Sequence, residues 1–349
     1  MTKHLFIALC LLLSFLRTDA QPDVYRKAIS ELDSMLSGSK PPSFKRAVFI
    51  TENAYFDNRL EYPVYEAYIK ELSDLAKDWM LFNSLNGYKK ADSLNITQNY
   101  AVYKVLKDTI RIFTSAKEGM AHVPYTYNFE DYSGQKDWSD IFVVKLMATH
   151  TGTCHSLPYL YKIIADDLGA KCWLGLAPNH MYIKNRCKET GWYNTELTSG
   201  DFPIDAWIMG FVYIPIQAIQ NGIYMDTLSN HQAIALCALD LAKEYEHKMK
   251  NYYDGFILQC CDLSLKHFPM NVQAMLLKAE TLKRIYGKEK TEMFAQAKDT
   301  YNQMEQLYTK LYGLGYREMP DKMYQNWLLS VNNEKFADQN LQKKLKTNL

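Results

Sequence analysis

Cys154, His180 and Glu196 are the residues of this chain whose types and order could do chemistry together. A thiolate attacks carbonyl carbon. An imidazole can take the thiol proton and later return it to a leaving amine, while a carboxylate fixes the imidazole's tautomer and steadies its charged form. The cysteine stands in Thr151-Gly152-Thr153-Cys154-His155-Ser156-Leu157-Pro158 and the histidine in Pro178-Asn179-His180. The acid follows in Trp192-Tyr193-Asn194-Thr195-Glu196-Leu197. Singly, each has an ordinary reading: a buried core thiol, a hydrogen-bonded histidine, a solvated strand acid. Their order and settings give the joint reading its weight.

Two elements must position them. Leu157, Leu160, Tyr161, Ile164 and Leu168 recur at helical spacing, Pro158 suits a first turn, and Gly169 sits where a C-terminal cap belongs. That places Cys154 at a helix N-terminus, where the dipole and free N–H groups favour thiolate and can cradle an oxyanion. Gly152 beside it would let a substrate backbone approach. The second element is a hairpin, with strands over 180–186 and 192–197 turning through 187–191. Residues whose numbers sum to about 376 to 378 then lie opposite each other. An even sum puts His180, Tyr182, Asn194 and Glu196 on one face. Asn194 is the second candidate for orienting the imidazole.

Gly152-Thr153-Cys154, Asn179-His180-Met181-Tyr182 and Trp192-Tyr193-Asn194-Thr195-Glu196-Leu197-Thr198 resemble the core of the transglutaminase-like superfamily, papain-like in its chemistry. The resemblance covers about 138–205. It implies Cys154 as nucleophile, His180 as general base and then acid, and Glu196 as orienting acid, in the place usually held by Asp. It assigns no oxyanion side chain; Trp138 and Gln135 are candidates by proximity. The mechanism it implies is metal-free and uses no cofactor. With the helical signal that follows, the chain is similar to the branch in which such a core precedes tetratricopeptide-like helices.

The expected fold class is α+β. Residues 1–20 read as a signal peptide, with Lys3 and His4, an apolar Leu5 to Leu16 too short to span a bilayer, and a small-x-small Thr18-Asp19-Ala20. Export to the periplasm, the cell surface or the medium follows as an expectation. A helical region over 21–121 comes next. In it Tyr65, Tyr68, Ile69, Leu72, Leu75 and Ala76 form one stripe, and Tyr103, Leu106, Ile110 and Phe113 form another behind Asn99 as cap. Over 122–228 short apolar runs separated by turns predict the mixed core, with one helix among them. Helical hairpins resembling tetratricopeptide repeats, without their regular period, are expected over 229–349.

Removing Lys3, Arg17 and Asp19 with the signal leaves 38 basic and 38 acidic residues, a balance that argues against a nucleic-acid partner. No transmembrane segment is expected after the signal. The expected partners are a peptide or protein substrate and a protein partner docked on the C-terminal helices. Cys172, Cys187, Cys237, Cys260 and Cys261 read as small core residues. His150, Cys154 and His155 lack the spacing and the fourth ligand of a metal site. Two functions compete: a cysteine-dependent protease, amidase or transglutaminase, and a non-catalytic peptide- or protein-binding module on a helical scaffold.

Overall fold

In the computed structural model of the chain, residues 20–333 are described, apart from 84, 86, 114–118, 293 and 321. The segment read as a signal lies, through residue 19, outside the described residues. In chain order come α1 (Ala20–Leu36), α2 (Phe44–Tyr55), α3 (Tyr62–Phe82), α4 (Ser93–Lys107), β1 (Ile110–Phe113), β2 (Gly119–His122) and β3 (Thr126–Tyr127). A 3-10 turn (Trp138–Ile141), α5 (Val143–Thr149), β4 (Thr151–Gly152), α6 (Ser156–Asp167), β5 (Trp173–Ala177), β6 (His180–Cys187) and β7 (Gly191–Thr195) follow. The rest is helical: α7 (Asp205–Phe211), α8 (Ile216–Gln220), α9 (Asn230–Met249), α10 (Phe256–His267), α11 (Val272–Glu292), α12 (Phe294–Gly313) and α13 over 322–333. The architecture is α+β, with many helices and small sheets.

The chain forms two compact units, each from two stretches: 20–61 with 230–308, and 62–229 with 309–333. The first is all helix. Its central α9 is buried on most faces, from Ala233 to Leu241, which a helix achieves only when neighbours surround it. Asn271 caps α11: Oδ1 accepts from Ala274 N–H at 3.2 Å, and Nδ2 donates to Ser264 Oγ at 3.0 Å.

The second unit holds the sheets. Strand β6 is central in the antiparallel order β5-β6-β7. Pro178 and Asn179 make the β5–β6 turn, with Asn179 at φ 52°, a combination that suits a type II turn. Gly175 faces Tyr182 across this pair, and a Cβ on the glycine would lie 2.8 Å from the tyrosine ring, so the buried Tyr182 fits only over a bare backbone. Strands β6 and β7 pair Ile183 with Thr195, Lys184 with Asn194 and Cys187 with Gly191, an even register within the predicted range. Beneath the sheet α6 is buried from Ser156 through Ala165, and it ends at Gly169, φ 74°, where Ala170 N–H reaches back to Ala165 O at 2.8 Å.

Several local expectations give way. The apolar run 141–147 belongs to a 3-10 turn and α5, and 205–220 adds α7 and α8, so the core region has four α-helices where one was expected. Short apolar runs fit a buried helix as readily as a strand, and the neighbours decide. Ile110 and Phe113 do not continue the helix of Tyr103 and Leu106: Asp108 turns extended, and β1 pairs with β2 instead. Asn99 is no cap but lies inside α4, buried, accepting a hydrogen bond from the Tyr161 hydroxyl and donating to Lys171 O.

Candidate active site

The start of α6 is locked by a reciprocal pair of side chains. Thr153 Oγ1 accepts from His155 N–H at 3.2 Å, Ser156 Oγ accepts from Thr153 N–H at 3.0 Å, and Thr153 O takes the first helical bond from Leu157 at 3.2 Å. This is capping-box logic with serine as the returning acceptor, and it fixes Cys154 in the turn that leads directly into α6. Cys154 is half-buried. Gly152 serves this packing rather than substrate approach: it is buried, and a Cβ there would collide with Ser156 Oγ and lie 2.8 Å from Leu146 Cδ1.

His180 opens β6 immediately after the Pro178-Asn179 turn, and Glu196 follows β7 across the hairpin. His180 Nε2 and Glu196 Oε2 are 2.6 Å apart, with each side chain 1% exposed. The second carboxylate oxygen accepts from Thr198 N–H at 2.8 Å. The carboxylate is therefore held at both oxygens. Nδ1, on the other edge of the ring, is buried without a hydrogen-bond partner. That is the nitrogen left for the thiol, and such pairs are often looser than a hydrogen bond before substrate binds.

Electrostatics couple the three groups. Burial opposes charge on His180, but the Glu196 carboxylate and the Cys154 sulfur outweigh it and push its pKa up to about 10. Burial opposes the Glu196 carboxylate as well, and the imidazolium and Thr198 hold its pKa below the usual value. For Cys154, burial again works against charge. The imidazolium, helped by Tyr324, still brings the thiol below its ordinary pKa. The arrangement favours thiolate beside imidazolium, the reactive form of a nucleophilic cysteine.

Three further residues surround this pair, and the motif did not reveal them. Tyr324, on α13, donates its hydroxyl to Cys154 Sγ at 3.4 Å and sits 3.4 Å from the Tyr127 hydroxyl. Trp327, one turn later, meets the His180 ring edge-on at 4.8 Å between centroids. The signal that could have found Tyr324 and Trp327 is a stripe after Pro320: Tyr324, Trp327, Leu328 and Val331, at helical spacing, are all buried.

Other predicted residues serve elsewhere. Asn194 shares the face of Lys184 but donates to Pro203 O at 3.0 Å and Asp205 Oδ1 at 2.8 Å, so it clips the loop after β7 and does not orient His180. Trp138 opens the 3-10 turn that buttresses α6, whose Ile141 carbonyl lies 3.0 Å from His155 Nδ1; Gln135 is exposed in the preceding loop. His150 stacks on Tyr125 at 4.5 Å. Among the described residues no group of three or more His, Cys, Asp or Glu side chains could hold a metal ion. All six cysteines there are free, four buried and Cys154 and Cys187 half-buried. Among the described residues no helix is long and apolar enough to cross a membrane.

Fold and site together define a class: an α+β protein with a cysteine at a helix start facing a buried histidine–glutamate pair on a hairpin. No family model, curated protein or solved structure matches this chain.

Proposed function

We propose that this is an exported cysteine acyl-transfer enzyme of transglutaminase-like type, acting on an amide or peptide bond. The observation that carries the reading is the 2.6 Å His180–Glu196 contact, which spends Nε2 on the acid and leaves Nδ1 for Cys154. In this mechanism the thiolate adds to the carbonyl carbon and the C–O π pair moves onto oxygen. Collapse breaks the C–N bond as the imidazolium gives its proton to the departing amine, leaving a thioester. His180 then deprotonates water, for hydrolysis, or an incoming amine, for transamidation; the new C–O or C–N bond forms at the thioester carbon, the C–S bond breaks, and Cys154 leaves as thiolate beside the imidazolium.

A binding-module reading draws on the packing of Tyr324 and Trp327, both buried against Cys154 and His180. In that reading the same residues hold a peptide without cutting it. Thiol labelling at neutral pH separates the two. As an enzyme, Cys154 reacts far faster than Cys237, whose pKa burial raises well above the ordinary value, and Cys154→Ala abolishes turnover of peptide and amide substrates. Equal labelling rates, with activity unchanged in Cys154→Ala, would remove the enzyme reading.

A further inference from the structure

An acyl-transfer site needs hydrogen-bond donors where the carbonyl oxygen becomes negative. The start of α6 supplies fewer than an open helix end would, because the His155 N–H is already bonded to Thr153 Oγ1. Resting on the acyl-transfer reading, the geometry points to Tyr324 as the side-chain oxyanion donor, a catalytic residue contributed by the C-terminal helix, with Tyr127 as the positioning residue that holds its hydroxyl.

The distances carry this. The oxyanion is bonded to the same carbon as Sγ, one bond angle away, so a hydroxyl 3.4 Å from the sulfur reaches that oxygen by a small rotation. Before attack the same O–H donates to the thiolate. As the C–S bond forms, negative charge leaves sulfur and gathers on oxygen, and the donor follows it. An interaction that strengthens along that path lowers the barrier instead of merely binding the ground state. Tyr127, 3.4 Å from Tyr324 through their hydroxyls, is 5% exposed, and Tyr324 is 3% exposed. Burial, followed by the charge on Cys154, raises the pKa of both well above the usual phenol value, so both stay protonated and able to donate.

Tyr324 is in turn held by its helix. Tyr324 N–H reaches Pro320 O at 3.3 Å in the first turn, the ring lies 5.3 Å from that of Tyr132, and Gln325 Nε2 donates to the Tyr132 hydroxyl at 3.3 Å. Trp327 packs at the imidazole from the next turn. The donor and the cover over the histidine thus come on one element, 170 residues after the nucleophile.

Two reagents test the assignment because only one develops an oxyanion. p-Nitrophenyl acetate transfers its acetyl group to the thiolate and releases p-nitrophenolate through a tetrahedral oxyanion. Iodoacetamide alkylates the thiolate by displacing iodide at a saturated carbon. In the full chain, Tyr324→Phe should slow Cys154 acetylation about 10²-fold, the loss typical of one oxyanion donor, while alkylation changes by about threefold or less once rates are compared at equal thiolate fraction across a pH series. Tyr127→Phe should show the same selectivity with a smaller loss, about tenfold. If both reactions speed up in Tyr324→Phe, the hydroxyl shields the sulfur and the assignment is overturned. If both slow equally, or neither changes, it is overturned too. Wild-type acetylation no faster than that of Cys154→Ala would instead sink the acyl-transfer reading itself.

Discussion

Glu196 and Glu244 are both glutamates shut away from water, 1% and 2% exposed, in different units of the chain, and they reach opposite states. Glu196 has an imidazolium on one oxygen and a backbone N–H on the other, and its pKa falls despite burial. Glu244, on α9, has Oε2 buried without a partner. Burial, then Asp240 and Glu52, raise its pKa well above the usual carboxylate value. Cys154 and Cys237 repeat the contrast, one thiol lowered beside His180 and the other raised in the core. Burial alone makes titratable groups inert. A site arises where the same burial is matched by an opposite charge held at hydrogen-bond distance.

The largest effect should come from cancelling that match. Glu196→Gln keeps the size of the side chain and removes its charge, so His180 loses the carboxylate that raises it most and falls from about 10 toward 6.5. Cys154 then loses its imidazolium and rises. Acyl transfer should fall by about 10³- to 10⁴-fold, as when the orienting acid of a triad is made an amide, and the advantage of Cys154 over Cys237 in labelling at pH 6 to 7 should collapse. Unfolding should show a stability loss of about 2 kcal/mol, the range of a hydrogen bond to a charged group. Its pH dependence has a defined sign. The depressed Glu196 contributes above its ordinary 4.5 and loses that as pH falls through its lowered value; the raised His180 contributes fully below 6.5 and loses it as pH rises through about 10. The gap between wild type and Glu196→Gln should be widest near pH 4.5 to 6.5 and shrink toward pH 10. A constant gap would break the contrast between the two glutamates.

How much of this could be read from the chain follows the range of the interactions. The 180–187 and 191–195 hairpin was legible, with its register narrowed to a short range, because any strand alternates its side chains with period two and a short turn limits which residues face each other. Gly169 was legible as a cap, since a cap answers to its own helix end. Asn194 was misread from the same alternation: the face was right, but the carboxylate of Asp205, eleven residues on, claims the amide. Gly152 was read as a space for substrate, and only the folded helix shows Ser156 and Leu146 filling it. Tyr324 lies furthest from legibility. It is one of twenty-six tyrosines, and nothing within a turn of it says that Cys154 is its neighbour.

A smaller effect, opposite in sign, should come from Glu244. Because the folded chain keeps this carboxyl protonated while the unfolded chain ionises it above about 4.5, the native state binds the extra proton and stability falls as pH rises. Glu244→Gln supplies a neutral group of the same shape. Near pH 5 it should be almost neutral in stability, and above that it should gain on wild type by up to about 1.4 kcal/mol per pH unit for as long as the folded carboxyl stays protonated. Paired unfolding curves at pH 5, 6, 7 and 8 measure the slope directly, with Cys154 labelling as the control that should not move. A substitution that costs more stability as pH rises would mean that Glu244 is ionised in the fold, and the two buried glutamates would then be alike after all.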